Sequence, residues 1–74
     1  MSSVEQAIEA IYTSMQNDNE DIDARIKDLK IAMKDAGVKE AQFETSRLVQ
    51  GNREGRKRMQ SYFKKRGVKV VFAG

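Results

Sequence analysis

The sequence GNREGRKRMQSYFKKRGVKVVF, residues 51–72, combines the features of one helix and one strand. Asn52 is a typical helix N-cap because its side-chain oxygen can accept a backbone N–H of the first turn. Gly67 is a typical helix terminator because glycine adopts positive φ without strain. We therefore predict a helix that begins after Asn52 and runs to about residue 66. The apolar, β-branched residues that follow predict a strand over 68–72.

A strand needs a partner, and residues 41–46 offer one. Ala41, Phe43 and Thr45 alternate with polar residues, which is the pattern of a strand with one buried face. A strand, a helix and a second strand predict a parallel pair joined by a right-handed crossover. A helical interpretation of residues 38–51 is the alternative, and it would give an all-α three-helix bundle. Because two strands alone are weakly stable, completion of the sheet by a second copy, as a homodimer, also stays open.

Two amphipathic helices are predicted before this unit. The first covers about residues 3–16, with a capping box formed by Ser3 and Gln6 or by Ser2 and Glu5. Its apolar positions recur at helical spacing and are Val4, Ala7, Ile8, Ile11, Tyr12 and Met15.

The second helix covers about residues 19–36 and ends at Gly37. Its apolar seam consists of Ile22, Ile26, Leu29, Met33 and Ala36. The short break before this helix predicts a helical hairpin. Ile31 lies off the seam, and we expect the third helix to cover it. An ion pair between Asp23 and Lys27 is expected from their i,i+4 spacing. The predicted fold is therefore a small α+β domain with the order α-α-β-α-β.

The composition excludes several classes of function. The chain has 74 residues, expected to form a single domain over 1–74, and it contains no Cys, His, Pro or Trp. Without Cys or His, the common zinc sites and nucleophilic triads cannot be built. We therefore expect no enzyme activity, no catalytic residue, no metal site and no cofactor. No apolar run approaches the roughly 20 residues of a membrane span, and no signal-peptide pattern is present. We expect a cytoplasmic protein that does not bind membranes.

Charge is distributed unevenly along the chain. The net charge is +3, but residues 1–37 contain 8 acidic and 4 basic residues, whereas residues 38–74 contain 3 acidic and 10 basic ones. Residues 53–66 alone hold seven bases and a single acid, Glu54. A helix surface stabilised by its own salt bridges would alternate in sign. This excess of bases instead indicates an attractive field for a polyanion.

Helical spacing arranges the bases of this segment into a surface. Arg53, Lys57 and Lys64 form a row with Gln60, about 16 Å long at 1.5 Å per residue, which we place on the far side of the helix from the core. The flanking bases are Arg56, Arg58 and Lys65. Lysine and arginine both pair with phosphate oxygens. The sequence thus predicts a non-catalytic domain that binds nucleic acid, either DNA or RNA.

Two further interpretations remain open at this point. Gly51, Asn52 and Gly55 open the basic helix, and backbone N–H groups there could bind an anion, although the spacing matches no established phosphate-binding motif. The alternative function is a protein–protein interaction or adaptor module. In that case the basic helix recognises an acidic protein, or the acidic helical hairpin or the side carrying Ile31 docks a partner.

Overall fold

A computed structural model describes residues 3–49 and 51–73 of the chain. Across these residues the elements are α1 (Val4–Gln16), α2 (Ile22–Ala36), β1 (Ala41–Glu44), α3 (Arg53–Lys64) and β2 (Val70–Ala73). The predicted α+β fold and its element order are confirmed, and the all-α alternative is wrong. A short 3-10 helix, Thr45–Arg47, ends β1 two residues before the predicted boundary.

The helix ends follow from local side-chain chemistry. The Ser3 hydroxyl accepts the N–H of Gln6 at 3.1 Å, and the Gln6 side chain accepts the N–H of Ser3 at 3.0 Å, so the predicted capping box is present. The alternative box through Ser2 lies outside the described residues. Gly37 ends α2 with φ +70°, as predicted.

The second helix begins three residues later than predicted. Asp18, Asn19 and Asp21 adopt left-handed backbone angles, with φ of 53°, 60° and 55°. Asn and Asp tolerate this conformation better than most residues because their short polar side chains can bond locally. The turn between the first two helices therefore extends to Asp21.

Phe43 connects the helical hairpin to the strand–helix–strand unit. Its side chain is completely buried and contacts Tyr12 of α1 and Phe63 of α3 edge to face, with ring centroids 5.5 Å and 5.8 Å apart. Such pairs stabilise by about 0.5–1.5 kcal/mol beyond the burial of their surface. The remaining core is aliphatic and is formed mainly by Ala7, Ile11, Ile26, Leu29, Met33, Ala41, Val68 and Val70.

The two strands pair in parallel, as predicted, with Ala41 opposite Val70 and Phe43 opposite Phe72. The N–H of Ala41 bonds the Lys69 carbonyl at 2.8 Å. Because peptide groups alternate in direction along a strand, those of Glu44 and Val70 point away from the partner strand, toward the two sheet edges.

Side chains from the helices occupy part of each sheet edge. On the β1 edge, the Glu44 N–H donates to the Tyr12 hydroxyl at 2.8 Å. On the β2 edge, the Gln60 amide donates to the Val70 carbonyl at 3.2 Å. These two bonds satisfy backbone groups that a neighbouring strand would otherwise pair with.

We expect Tyr12→Phe to lower the free energy of unfolding by about 1 kcal/mol, because the N–H of Glu44 loses its acceptor while the ring contact with Phe43 is kept. Urea denaturation followed by circular dichroism measures the change, and amide hydrogen exchange reports the N–H of Glu44 directly. Unchanged stability together with unchanged protection of that amide would show that the hydroxyl does not cap the strand edge.

Candidate nucleic-acid interface

The third helix presents most of its surface to solvent. Of its twelve residues, all of which the structure describes, only Phe63 is buried. Met59 packs against the core while half-buried, and Tyr62 is 37% exposed. The Tyr62 ring therefore lies at the edge of the contact between this helix and the core.

The predicted cationic residues lie on this exposed helix or just after it. Arg53, Lys57, Arg58, Lys64 and Lys65 are exposed, and Arg56 is half-buried. Arg58 forms an i,i+4 ion pair with Glu54 at 2.9 Å, which offsets its charge. Within the described residues, the other five predicted bases form no ion pair or side-chain hydrogen bond.

The cationic row of Arg53, Lys57 and Lys64 lies on a flank of α3 instead of the far side. Gln60, in the middle of the row, reaches the carbonyl of Val70 at the β2 edge. Residues three and four positions away share its side of the helix, so the row follows the β2 edge. Sequence spacing alone does not reveal this placement of the row, because the packing of Phe63 sets the rotation of α3 about its own axis.

A polar contact on the opposite flank holds α3 against α2. The Tyr62 hydroxyl donates to the Asp23 carboxylate at 2.6 Å, and Arg66 donates to the same oxygen at 2.8 Å. The Arg66 guanidinium also lies 3.7 Å from the centre of the Tyr62 ring. Asp23 therefore pairs with Arg66 instead of Lys27, and the predicted i,i+4 pair is wrong.

This contact shifts two titrations in opposite directions. The hydrogen bond from Tyr62, followed by the bond and charge of Arg66, lowers the pKa of Asp23 below its ordinary value of 3.8. The same bond to Asp23 raises the pKa of Tyr62 above 10.0, because the hydroxyl must keep its proton to donate.

The start of α3 is explained by capping and close packing. The Asn52 side chain accepts the N–H of Gly55 at 2.7 Å, which confirms Asn52 as the N-cap. A Cβ added at Gly51 would lie 2.7 Å from the Thr45 carbonyl oxygen, so this position requires glycine. These contacts account for Gly51 and Asn52 without a ligand, and an anion-binding role for the loop stays a prediction.

Three lysines of α2 adjoin the site but were not among the predicted binding residues. Lys27, Lys30 and Lys34 lie at helical spacing on the side of α2 that carries Asp23, and all three are exposed. The Lys30 ammonium is close to Gly67, just after the end of α3. A Cβ added at Gly67 would lie 2.8 Å from the Lys30 nitrogen. None of the three forms an ion pair with a described residue. The sequence signal for this group is the 3,4 spacing of the three lysines, which places them on one side of a helix.

Two other surfaces are distinct from this site. On the α1 side, Arg47 forms a bidentate pair with Glu9, with both distances 2.6 Å, and stacks on the Tyr12 ring. Ile31 is 51% exposed, so the expectation that α3 covers it is wrong.

Residues 3–49 and 51–73 contain neither a cluster of metal-ligating side chains nor a membrane-spanning helix. No three His, Cys, Asp or Glu side chains there come together as metal ligands. None of the helices described is long and apolar enough to cross a bilayer. No protein-family model matches the chain, and no curated protein or solved structure shows significant similarity to it.

Asp23→Asn should make stability less sensitive to acid. Because the pKa of Asp23 is lowered by folding, its charge stabilises the fold fully above pH 3.8, and this contribution is lost as the pH falls through the lowered value. The wild type should thus exceed the variant in stability at neutral pH and lose this advantage in acid. Urea denaturation at several pH values measures the difference.

Asp35→Asn is the control, since Asp35 is exposed on the same helix and forms no ion pair with a described residue. A stability difference between wild type and Asp23→Asn that stays constant down to the lowest pH would contradict the assigned contact.

Proposed function

We propose that the protein is a non-catalytic domain that binds nucleic acid through the exposed cationic surface of α3. The observation that supports this proposal most strongly is the unpaired state of Arg53, Lys57 and Lys64. All three are exposed, and within the described part of the chain no carboxylate pairs with them. A cytoplasmic location remains the expectation from sequence.

Several bases outside the row are already neutralised by carboxylates. Arg25, Arg47, Arg58, Arg66 and Lys69 each lie within 4.0 Å of a carboxylate oxygen. The acids of the hairpin that reach other elements, Glu9 and Asp23, contact Arg47 and Arg66. The acidic hairpin therefore does not neutralise the positive electrostatic field of the α3 row, because its carboxylates do not contact that row.

Phosphate contact is the chemistry that such a surface supplies. Exposed lysine and arginine side chains on a rigid helix replace condensed counterions, whose release provides the free energy of binding. Phosphate contacts carry no sequence information by themselves, so we expect binding with little sequence preference.

A protein-interaction module is the second candidate, and exposed Ile31 favours it. Ala24 is also exposed and lies on the same side of α2, which gives a small apolar surface away from α3. A partner bound there would be insensitive to changes in the α3 row. Replacing the α3 row therefore separates the two candidates, because it should weaken the binding of nucleic acid and leave the binding of such a protein partner unchanged.

Replacing Arg53, Lys57 and Lys64 with Gln tests the proposal. If about five phosphates are neutralised, the wild type should bind a short labelled DNA duplex with a slope of log K on log salt of about −4 to −5. The triple variant should lose about 3 units of that slope. Fluorescence anisotropy between about 50 and 200 mM salt measures both slopes.

The matched control carries Gln at Arg25, Lys39 and Lys69, which removes the same charge from positions outside α3. Circular dichroism checks that both variants fold. The proposal fails if the wild type shows no salt-sensitive binding at micromolar concentration, or if the control and the α3 variant lose equal affinity.

A further inference from the structure

Two cationic rows border the exposed outer face of the third helix. Its own row, Arg53, Lys57 and Lys64, follows the β2 edge through the Gln60 contact with Val70. On its other flank lies α2, whose Asp23 holds Tyr62 and Arg66. The α2 row of Lys27, Lys30 and Lys34 shares that side of α2. The outer face of α3 lies between the two rows.

The charge of the α2 row is unopposed on this side. Asp23, the acid nearest to it in helical register, is already engaged by Arg66 at 2.8 Å. The Lys30 ammonium lies beside Gly67, next to the C-terminal turn that carries Lys64 and Lys65. The positive surface thus continues from one row to the other around the end of α3.

The spacing of the rows points to two strands of phosphates. The outer face of α3 separates its own row from the row on α2, and an α-helix with its side chains is about 10–12 Å across, so the two rows are at least about that far apart. The major groove of B-form DNA is about 12 Å wide and admits one helix. The major groove of A-form RNA is too deep and narrow for side chains to enter in this way.

Exposed aromatic faces for single-strand stacking are lacking near the rows in the part of the chain described. Tyr12, Phe43 and Phe63 are buried. The Arg66 guanidinium occupies one face of the Tyr62 ring, and the Tyr62 hydroxyl is bound to Asp23. Proteins that hold single strands combine cationic grooves with aromatic platforms, and only the half-buried Phe72 is left to supply one.

We propose that the polyanion is a B-form DNA duplex, with α3 in the major groove and the α3 and α2 rows contacting phosphates on opposite sides of that groove. This inference rests on the proposed function and adds the form of the nucleic acid and a second set of contact residues. Lys30 is the member of the α2 row whose ammonium lies beside Gly67, three residues after the end of α3.

Lys30→Gln tests the second row. Salt titrations by fluorescence anisotropy use a DNA duplex, an RNA duplex and a single-stranded DNA of equal length. Lys30→Gln should reduce the salt slope on the DNA duplex by about 0.9 and leave the slope on the RNA duplex unchanged. Arg25→Gln, the same change of charge on the opposite side of α2, should affect none of the three.

Lys27→Gln provides a second variant of the row, in case Lys30→Gln disturbs the end of α3. Tighter wild-type binding to the DNA duplex than to the RNA duplex or the single strand supports the inference. The inference is overturned if the RNA duplex or single strand binds as tightly as the DNA duplex, or if both lysine variants match Arg25→Gln.

The combined results separate this inference from the proposed function. Loss of binding on replacing Arg53, Lys57 and Lys64, with no effect of Lys30 or Lys27, retains the α3 surface and rejects the second row. Absence of salt-sensitive binding to all three probes rejects both proposals. Salt-sensitive binding of an acidic peptide, polyglutamate, with equal affinity rejects a nucleic acid as the specific partner.

Discussion

The burial of Phe43 is the constraint on which the arrangement of this chain depends. Its ring is the contact shared by α1 and α3, through Tyr12 and Phe63. A chain of 74 residues without Cys cannot use disulfides to fix its elements, so packing must supply the stability. Phe43 belongs to a strand, and its burial brings the helical hairpin and the strand–helix–strand unit together on one face of the sheet.

A consequence of this packing is the exposure of α3. Phe63 alone is buried on that helix, and the polar contacts of Tyr62 and Arg66 with Asp23 fix its other flank. A helix held by one buried ring, the half-buried Met59 and a few polar contacts leaves its remaining positions free to carry charge. Acidic residues could have offset this charge locally, but Glu54 is the single acid on α3 and it pairs with Arg58.

Periodicity and capping residues predicted the elements because these signals act locally. Ser3, Asn52 and the helix-ending Gly37 and Gly67 each bond or bend their own neighbours, so their roles follow from sequence. The strand 41–46 was predicted from the face that Phe43 shares, and the buried ring supports that reasoning.

Relations between elements were less accessible to sequence. The partner of Asp23 could not be deduced, because Arg66 reaches it across 43 residues of sequence whereas Lys27 is only four residues away. The exposure of Ile31 and the placement of the α3 row depend on the same rigid-body packing of helices. The identity of the cationic residues was predictable, whereas the surface they share with Lys30 was not.

The position of the α3 row also bears on self-association through the sheet. A two-stranded sheet leaves two edges that can pair with a second copy. Here Tyr12 occupies part of the β1 edge and Gln60 part of the β2 edge. Because Arg53, Lys57 and Lys64 lie beside the β2 edge, pairing of that edge between two copies would bring two like-charged rows together. The repulsion between such rows opposes edge pairing most strongly at low salt. The row that would attract phosphates therefore also disfavours extension of the sheet at β2, and it does so without any acidic residue or proline on the strand itself.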